Sequence, residues 1–112
     1  VLVGIAPSPL GQVLTVGVGG VLTEVVADVA LRVLPVDAAE IDRMLDETRV
    51  GMLLGGVRGA APADRQALVQ CIARLAEVTR DWPAGFELDL NPVTALPTGV
   101  RILDAAYVAG GN

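Results

Sequence analysis

The sequence of 112 residues contains no histidine, and all eight of its basic residues are arginine. The absence of histidine excludes, within these residues, a Ser-His-Asp triad, a histidine-based zinc site and a phosphohistidine relay. Thirteen acidic residues give a net charge of −5. A duplex-binding domain would show a basic face instead, so we expect no nucleic-acid partner. The single cysteine, Cys71, cannot form an internal disulfide, which predicts a reducing, cytoplasmic location.

Charged residues are absent from the beginning of the chain, where the first one is Glu24. The preceding run is long enough to span a bilayer, but five glycines, together with Pro7 and Pro9, cut it into strand-sized pieces. A signal peptide would also need a basic start. We therefore expect buried β structure and no membrane partner. Because the chain begins with valine inside a strand-like run, we expect it to be a piece of a longer protein.

The first third of the chain predicts strands. Val1–Ala6 and Val13–Val18 are β-branched runs separated by a proline-stiffened loop, which predicts a hairpin. Val21–Val26 and Val29–Val36 are further strand candidates. A helix through the same stretch is the competing interpretation, because periodicity does not distinguish the two in a continuous apolar run.

Two helices are predicted in the middle of the chain. Asp37–Glu40 is a capping-box pattern that begins a helix ending at Gly51. Pro62 lies in the first turn of a second helix, which ends at Trp82-Pro83 and carries an apolar stripe. The order of the predicted elements is strands, then two helices, then strands again, with no alternating βαβ units. This order predicts an α+β fold with a largely antiparallel sheet.

The tail of the chain predicts a hairpin of Phe86–Leu96 and Val100–Tyr107. Alternation in its first strand places Asp89 and Asn91 on one face. Every register that a short turn allows leaves Asp104 beside Asn91, and the apolar residues before Asp104 predict that this carboxylate is partly buried. Two carboxylates and a carboxamide form a hard oxygen site of the type that Mg²⁺ shares with water and phosphate. A solvated polar face is the alternative interpretation.

A glycine cluster, Gly17-Val18-Gly19-Gly20, follows the second predicted strand. Backbone N–H groups at such glycines can approach phosphate. The cluster is not a dinucleotide fingerprint, because Leu22 occupies the place of the third glycine, and a bulge or tight turn is the alternative. Arg32 lies in an apolar stretch, where Glu24, Asp28 or a phosphate is its expected partner.

Several segments, in order and covering nearly the whole chain, resemble the ATP-grasp domain of ADP-forming acyl-CoA synthetases, which are related to succinyl-CoA synthetases. The segments are Gly17–Val29, Leu31–Val36, Leu53–Gly59 with Pro62 and Asp64 behind it, Glu87–Pro92, and Leu103–Ala105. The resemblance implies that residues 1–112 are a single partial domain, the C-terminal portion of an ATP-grasp domain, with the fold of its C-terminal subdomain.

The resemblance also implies Mg²⁺ and ATP as cofactors, with the metal bound by Asp89, Asn91 and Asp104. The residues that it implies face the nucleotide phosphates are Gly17, Gly19, Gly20, Glu24 and Arg32. The parent protein would join a carboxylic acid to CoA, through an acyl phosphate and a phosphorylated histidine elsewhere, releasing ADP and phosphate. Its partners would be ATP or ADP and the remaining domains or subunits of the synthetase, which bind CoA.

Two departures from the family pattern favour an alternative function. The family usually has Lys where Ala27 stands and Arg or Lys where Ala106 stands, so two cations near a polyphosphate site are missing. The alternative is a non-catalytic, ligand-sensing domain of a protein acetyltransferase; a third is a purely structural α+β module. Half of an interdomain cleft cannot orient a phosphoryl transfer, so we expect the isolated 112 residues to be inactive.

Overall fold

The structure is a computed structural model that describes residues 1–19, 28–56 and 61–110. Its strands are β1 (Leu2–Ser8), β2 (Gly11–Gly17), β3 (Val29–Val33), β4 (Glu87–Leu90), β5 (Val93–Ala95), β6 (Val100–Ile102) and β7 (Ala105–Val108). Its helices are α1 (Ala38–Asp46), α2 (Arg49–Leu54) and α3 (Arg65–Val78), the last continued by a 3₁₀ turn, Thr79–Asp81.

Five strands form one sheet in the order β3-β2-β1-β4-β7, and every neighbouring pair is antiparallel. The predicted α+β fold with a largely antiparallel sheet is therefore confirmed, as is the predicted hairpin of β1 and β2. β3 ends at Val33, short of the predicted Val36, and the strand predicted at Val21–Val26 lies outside the described residues.

The helices cover one face of this sheet. Alternate residues of the central strands, such as Val3, Ile5 and Leu14, are at most 1% exposed. They belong to one apolar core with residues of the helices, among them Ile41, Met44, Leu45, Leu68 and Ile72. Because side chains alternate along a strand, the intervening residues lie on the opposite face, which we call the open face.

Three α-helices are described where the sequence predicted two, because the first predicted helix is divided at Thr48. The Thr48 hydroxyl accepts a hydrogen bond from Val50 N at 3.1 Å and so begins α2. The Asp37 cap is confirmed, since its carboxylate accepts from Glu40 N at 2.8 Å. The Glu40 side chain, however, binds arginines instead of completing the capping box.

The predicted C-terminal hairpin is present but divided between two sheets. β4 pairs with β7 in the main sheet, whereas β5 and β6 form a separate two-stranded sheet at the tip. Asn91-Pro92 on one side and Leu103-Asp104 on the other connect the two parts. Within the described ranges, no helix is long and apolar enough to cross a membrane.

Candidate metal and phosphate site

Asp89 lies on the open face of the sheet. Its strand neighbours Leu88 and Leu90 are 8% and 4% exposed and face the core, while Asp89 itself is exposed. In the ladder Asp89 stands between Gly4 of β1 and Ala106 of β7. Because directly paired residues share a face, the Asp89 carboxylate projects from a row of small residues and is accessible to a ligand.

Asn91 and Asp104 stand opposite each other where β4 and β7 meet the small sheet. Asn91 N donates a hydrogen bond to Asp104 O at 3.2 Å, in the register set by Leu90 opposite Ala105. This is one of the registers that the sequence allowed, all of which place Asp104 beside Asn91. It brings the backbones that carry two of the three candidate ligands together.

The expectation that Asp104 is partly buried is wrong. Asp104 is exposed, and its Oδ1 accepts a hydrogen bond from Ala105 N at 2.9 Å. Asp104 directly precedes β7, which is the last strand of the main sheet, so no neighbouring strand covers it on that side within the described part of the chain. Exposure favours a ligand role, because the carboxylate retains lone pairs that the protein does not use.

Gly19 brings the glycine cluster to Asn91. A Cβ atom added at Gly19 would lie 2.8 Å from Asn91 Oδ1, closer than a side chain tolerates. Only glycine therefore permits this approach without moving the Asn91 carboxamide. Gly17, at the end of β2, pairs with Val29 of β3, while Gly20 and Glu24 lie outside the described residues.

A shallow groove of about 390 Å³ runs over the open face beside these residues. Its lining includes the small residues Gly4, Thr15 and Ala106, which leave space for a ligand above the backbone of the sheet. The charged residues of its lining are Glu87 and Asp89, both acidic. A cation is therefore attracted here, and a polyphosphate would need that cation in order to bind.

Arg32 does not join this site. It pairs with Leu14 in the β2–β3 ladder and therefore lies on the helix-covered face. Its guanidinium binds Glu40 Oε2 at 2.8 Å and both carboxylate oxygens of Glu47. Hydrogen bonds to Glu47 and Glu40 raise the pKa of Arg32 above its ordinary value. The phosphate-facing position expected for Arg32 is therefore not supported, because two carboxylates of the α1 segment hold it on the other side of the sheet.

The donor set fits Mg²⁺ rather than a softer metal. Residues 1–19, 28–56 and 61–110 contain no cluster of three His, Cys, Asp or Glu side chains suited to a metal. The candidate ligands Asp89, Asn91 and Asp104 supply only two carboxylates and one carboxamide. Mg²⁺ uses one or two carboxylates and fills its remaining positions with water and phosphate oxygens, so an oxygen-only set of this size is appropriate.

Sequence reasoning did not identify the partner of Asp28, which is Arg49. Asp28 Oδ2 accepts from Arg49 N at 3.0 Å and from Arg49 Nε at 3.1 Å. These hydrogen bonds from the backbone and side chain of Arg49 lower the pKa of Asp28 below its ordinary value. The two residues are 21 positions apart, and no local pattern signals their contact.

Comparisons with known proteins agree over nearly the whole chain. The sequence profile of the ATP-grasp domain matches residues 1–108. The chain is 34% identical over 110 residues to acetate–CoA ligase (ADP-forming) I of Archaeoglobus fulgidus, covering 97% of this chain and 16% of that protein. It is 30% identical over 115 residues to the beta subunit of acetate–CoA ligase (ADP-forming) II of Pyrococcus furiosus, covering 99% and 49%. The chain thus spans half or less of these relatives.

A solved structure is similar as well. The acetyl-coenzyme A synthetase 1 of Candidatus Korarchaeum cryptofilum, in complex with coenzyme A and Mg-AMPPCP, superimposes with a TM-score of 0.87 at 32% identity. The match covers 96% of this chain and 51% of that one. The strand order and helix placement described above are therefore similar to those of one part of a longer chain.

Proposed function

The chain belongs to the ATP-grasp domain family, and from that membership we propose that it forms the Mg²⁺- and phosphate-binding half of the nucleotide site in an ADP-forming acyl-CoA synthetase. One observation supports this proposal above all. Asn91 lies beside both Asp104 and Gly19 at one end of the open face, and it is two residues after Asp89 in the chain. We take residues 1–112 as the C-terminal portion of the ATP-grasp domain.

Asp89, Asn91 and Asp104 would hold the metal. When bound, Mg²⁺ would neutralise oxygens of the β- and γ-phosphates during transfer. The other residues of the site would position the metal ligands and the nucleotide. Gly19 fixes the space that the Asn91 carboxamide can occupy, and Gly4 and Ala106 keep the surface beside Asp89 low enough for a nucleotide to approach. Phosphoryl transfer depends mostly on such positioning and on charge stabilisation.

The remaining parts of the reaction belong to other domains or subunits of the synthetase. CoA binding and the phosphorylated histidine require residues outside this chain, which has no histidine. The acetyltransferase-type alternative is not favoured, since both relatives named above are ligases. A cytoplasmic location, suggested by the single cysteine, is part of the proposal.

The test uses the full-length protein and measures ADP release that depends on both a carboxylic acid and CoA. Asp104→Asn keeps the shape and the acceptor for Ala105 N but removes one unit of charge. We expect turnover roughly 30- to 150-fold slower, partly restored by excess Mg²⁺, with an unchanged melting temperature. Asp81→Asn, at an exposed carboxylate on the helix side of the molecule, is the matched control.

Equal activity of the Asp104→Asn and Asp81→Asn variants at low Mg²⁺ would contradict the metal assignment. Acid-dependent ADP release without any requirement for CoA would contradict the synthetase assignment. The isolated chain should release no ADP under the same conditions, because it lacks the other half of the cleft.

A further inference from the structure

The residues before and after positions 20–27 are joined directly to each other. Val18 N donates a hydrogen bond to Asp28 O at 3.3 Å, and Gly17 is paired with Val29 in the β2–β3 ladder. The backbone of Asp28 therefore helps to hold the end of β2 in position.

Gly17 makes this contact unusually close. A Cβ atom added at Gly17 would lie 2.6 Å from Asp28 O and 2.6 Å from Val29 Cγ1. There is no spare volume between the two backbones, so a displacement of Asp28 is transmitted to Gly17 and Val18. Gly19 follows Val18, and a Cβ atom added at Gly19 would lie 2.8 Å from Asn91 Oδ1.

The Asp28 side chain is fixed to a helix in turn. Its Oδ2 accepts from Arg49 N, at the first residue of α2, and from Arg49 Nε. The side chain is only 19% exposed. Helix α2 is itself anchored by Val50 and Leu54, which are 1% and 6% exposed. A chain of contacts thus runs from the core through α2 and Asp28 to the glycines and then to Asn91.

We propose that Asp28 is a positioning residue, which holds Gly17–Gly19 so that the Asn91 carboxamide stays oriented toward the metal and phosphate site. In this role Asp28 touches neither the metal nor the nucleotide. A substitution of the Asp28 side chain removes its carboxylate, and with it the contact to Arg49, but leaves the backbone contacts of Asp28 in place. The inference rests on the function proposed above, since it assigns Asn91 to that site.

The experiment compares Asp28→Ala with Asp42→Ala in the full-length protein. Asp42 is a suitable match because it is also a carboxylate paired with an arginine, accepting from Arg65 Nε at 2.8 Å, but it lies on α1 behind the core. We measure KM for Mg-ATP, kcat and melting temperature. Asp28→Ala should raise KM for Mg-ATP about 5- to 20-fold with kcat changed less than about twofold, whereas Asp42→Ala should leave both within about twofold.

Conservative variants provide a second measurement that also serves if Asp28→Ala fails to fold. Asp28→Asn keeps an acceptor for Arg49 N and should restore KM to within about threefold of wild type. Arg49→Ala should raise KM more than Arg49→Lys. Equal KM values for Asp28→Ala and Asp42→Ala, or for Arg49→Ala and Arg49→Lys, would overturn the proposal.

Asp89→Asn separates this inference from the proposed function. If Asp89→Asn raises KM for Mg-ATP and Asp28→Ala does not, the positioning role is wrong and the metal site stands. If neither variant changes KM and Asp89→Asn leaves kcat unchanged as well, the metal site itself is wrong and the positioning role fails with it.

Discussion

Gly19 and Asn91 are in such close contact that a single methyl group at Gly19 would lie 2.8 Å from the Asn91 carboxamide oxygen. The other neighbours of that position, Leu2 N and the Val1 carbonyl carbon, lie at 3.6 Å, an ordinary contact distance. The backbone therefore tolerates a side chain at Gly19 and the Asn91 carboxamide does not. This contact links the glycine cluster to the candidate metal site through one rotatable group.

Gly19→Ala should impair nucleotide binding while sparing the fold. The added methyl group displaces only the end of a side chain, so the melting temperature should change little. The displaced carboxamide loses its orientation toward the metal, and KM for Mg-ATP should rise about 5- to 10-fold in the full-length protein. Steady-state kinetics over a range of Mg-ATP concentrations measures this.

Gly55→Ala is the control for Gly19→Ala. Gly55 has a φ of −72°, which any residue adopts, and a Cβ there would meet Met52 O at 3.4 Å. It should leave KM for Mg-ATP unchanged. A rise in KM shared by both variants would show that the effect of Gly19→Ala is unspecific.

Gly17→Ala should lower the stability of the fold. The new Cβ would lie 2.6 Å from Asp28 O, which is backbone and cannot rotate away. We expect β2 and β3 to separate locally, at a cost of about 1–3 kcal/mol. Thermal melting next to Gly55→Ala measures the loss, and a melting temperature equal to that of Gly55→Ala would contradict the packing described here.

Arg32→Gln tests whether Arg32 has a structural or a nucleotide-binding role. Because the guanidinium binds Glu40 and Glu47, its removal should lower the melting temperature and make it less sensitive to salt. KM for Mg-ATP should stay within about twofold of wild type, since Arg32 lies on the helix-covered face. A large rise in KM at an unchanged melting temperature would show instead that Arg32 binds the nucleotide phosphates.

Asp64 should contribute to the pH dependence of stability. Its carboxylate accepts from Gly99 N at 2.8 Å and Ala67 N at 3.0 Å, and these two hydrogen bonds lower its pKa below the ordinary value of 3.8. A group whose pKa is lowered by folding stabilises the fold above its unfolded pKa and loses that contribution as the pH falls through its folded pKa.

Wild type should therefore melt at a higher temperature than Asp64→Asn at neutral pH, and the difference should shrink as the pH falls below 3.8. The comparison of the two proteins at each pH removes the effect of other carboxylates whose pKa is lowered, such as Asp42 and Glu47. A difference that stays constant down to about pH 2.5 would contradict a pKa of Asp64 that is lowered by folding.

The register around the candidate site could be predicted from the sequence because a strand repeats every two residues and a short turn allows few pairings. Alternation in Phe86–Asn91 placed Asp89 and Asn91 on one side, and every register that a short turn before Val100 allows placed Asp104 beside Asn91. Local geometry was sufficient for these positions, and the structure reproduces the register.

The positions that could not be predicted depend on packing between distant elements. Arg32 finds its partners 8 and 15 residues away on a segment whose placement follows from the core, not from the strand. The exposure of Asp104 follows from its place beside the last strand of the sheet, and sheet order is not encoded in any one segment. The division of the first predicted helix at Thr48 depends on a side-chain cap that competes with helix continuation.

The most direct test of the account is a crystal structure of the full-length protein with a non-hydrolysable ATP analogue and Mn²⁺ in place of Mg²⁺, in which anomalous scattering locates the metal. We expect an anomalous peak roughly 2 Å from side-chain oxygens of Asp89, Asn91 and Asp104, beside the phosphates on the open face. A peak that none of these three side chains contacts, with the analogue bound, would contradict it.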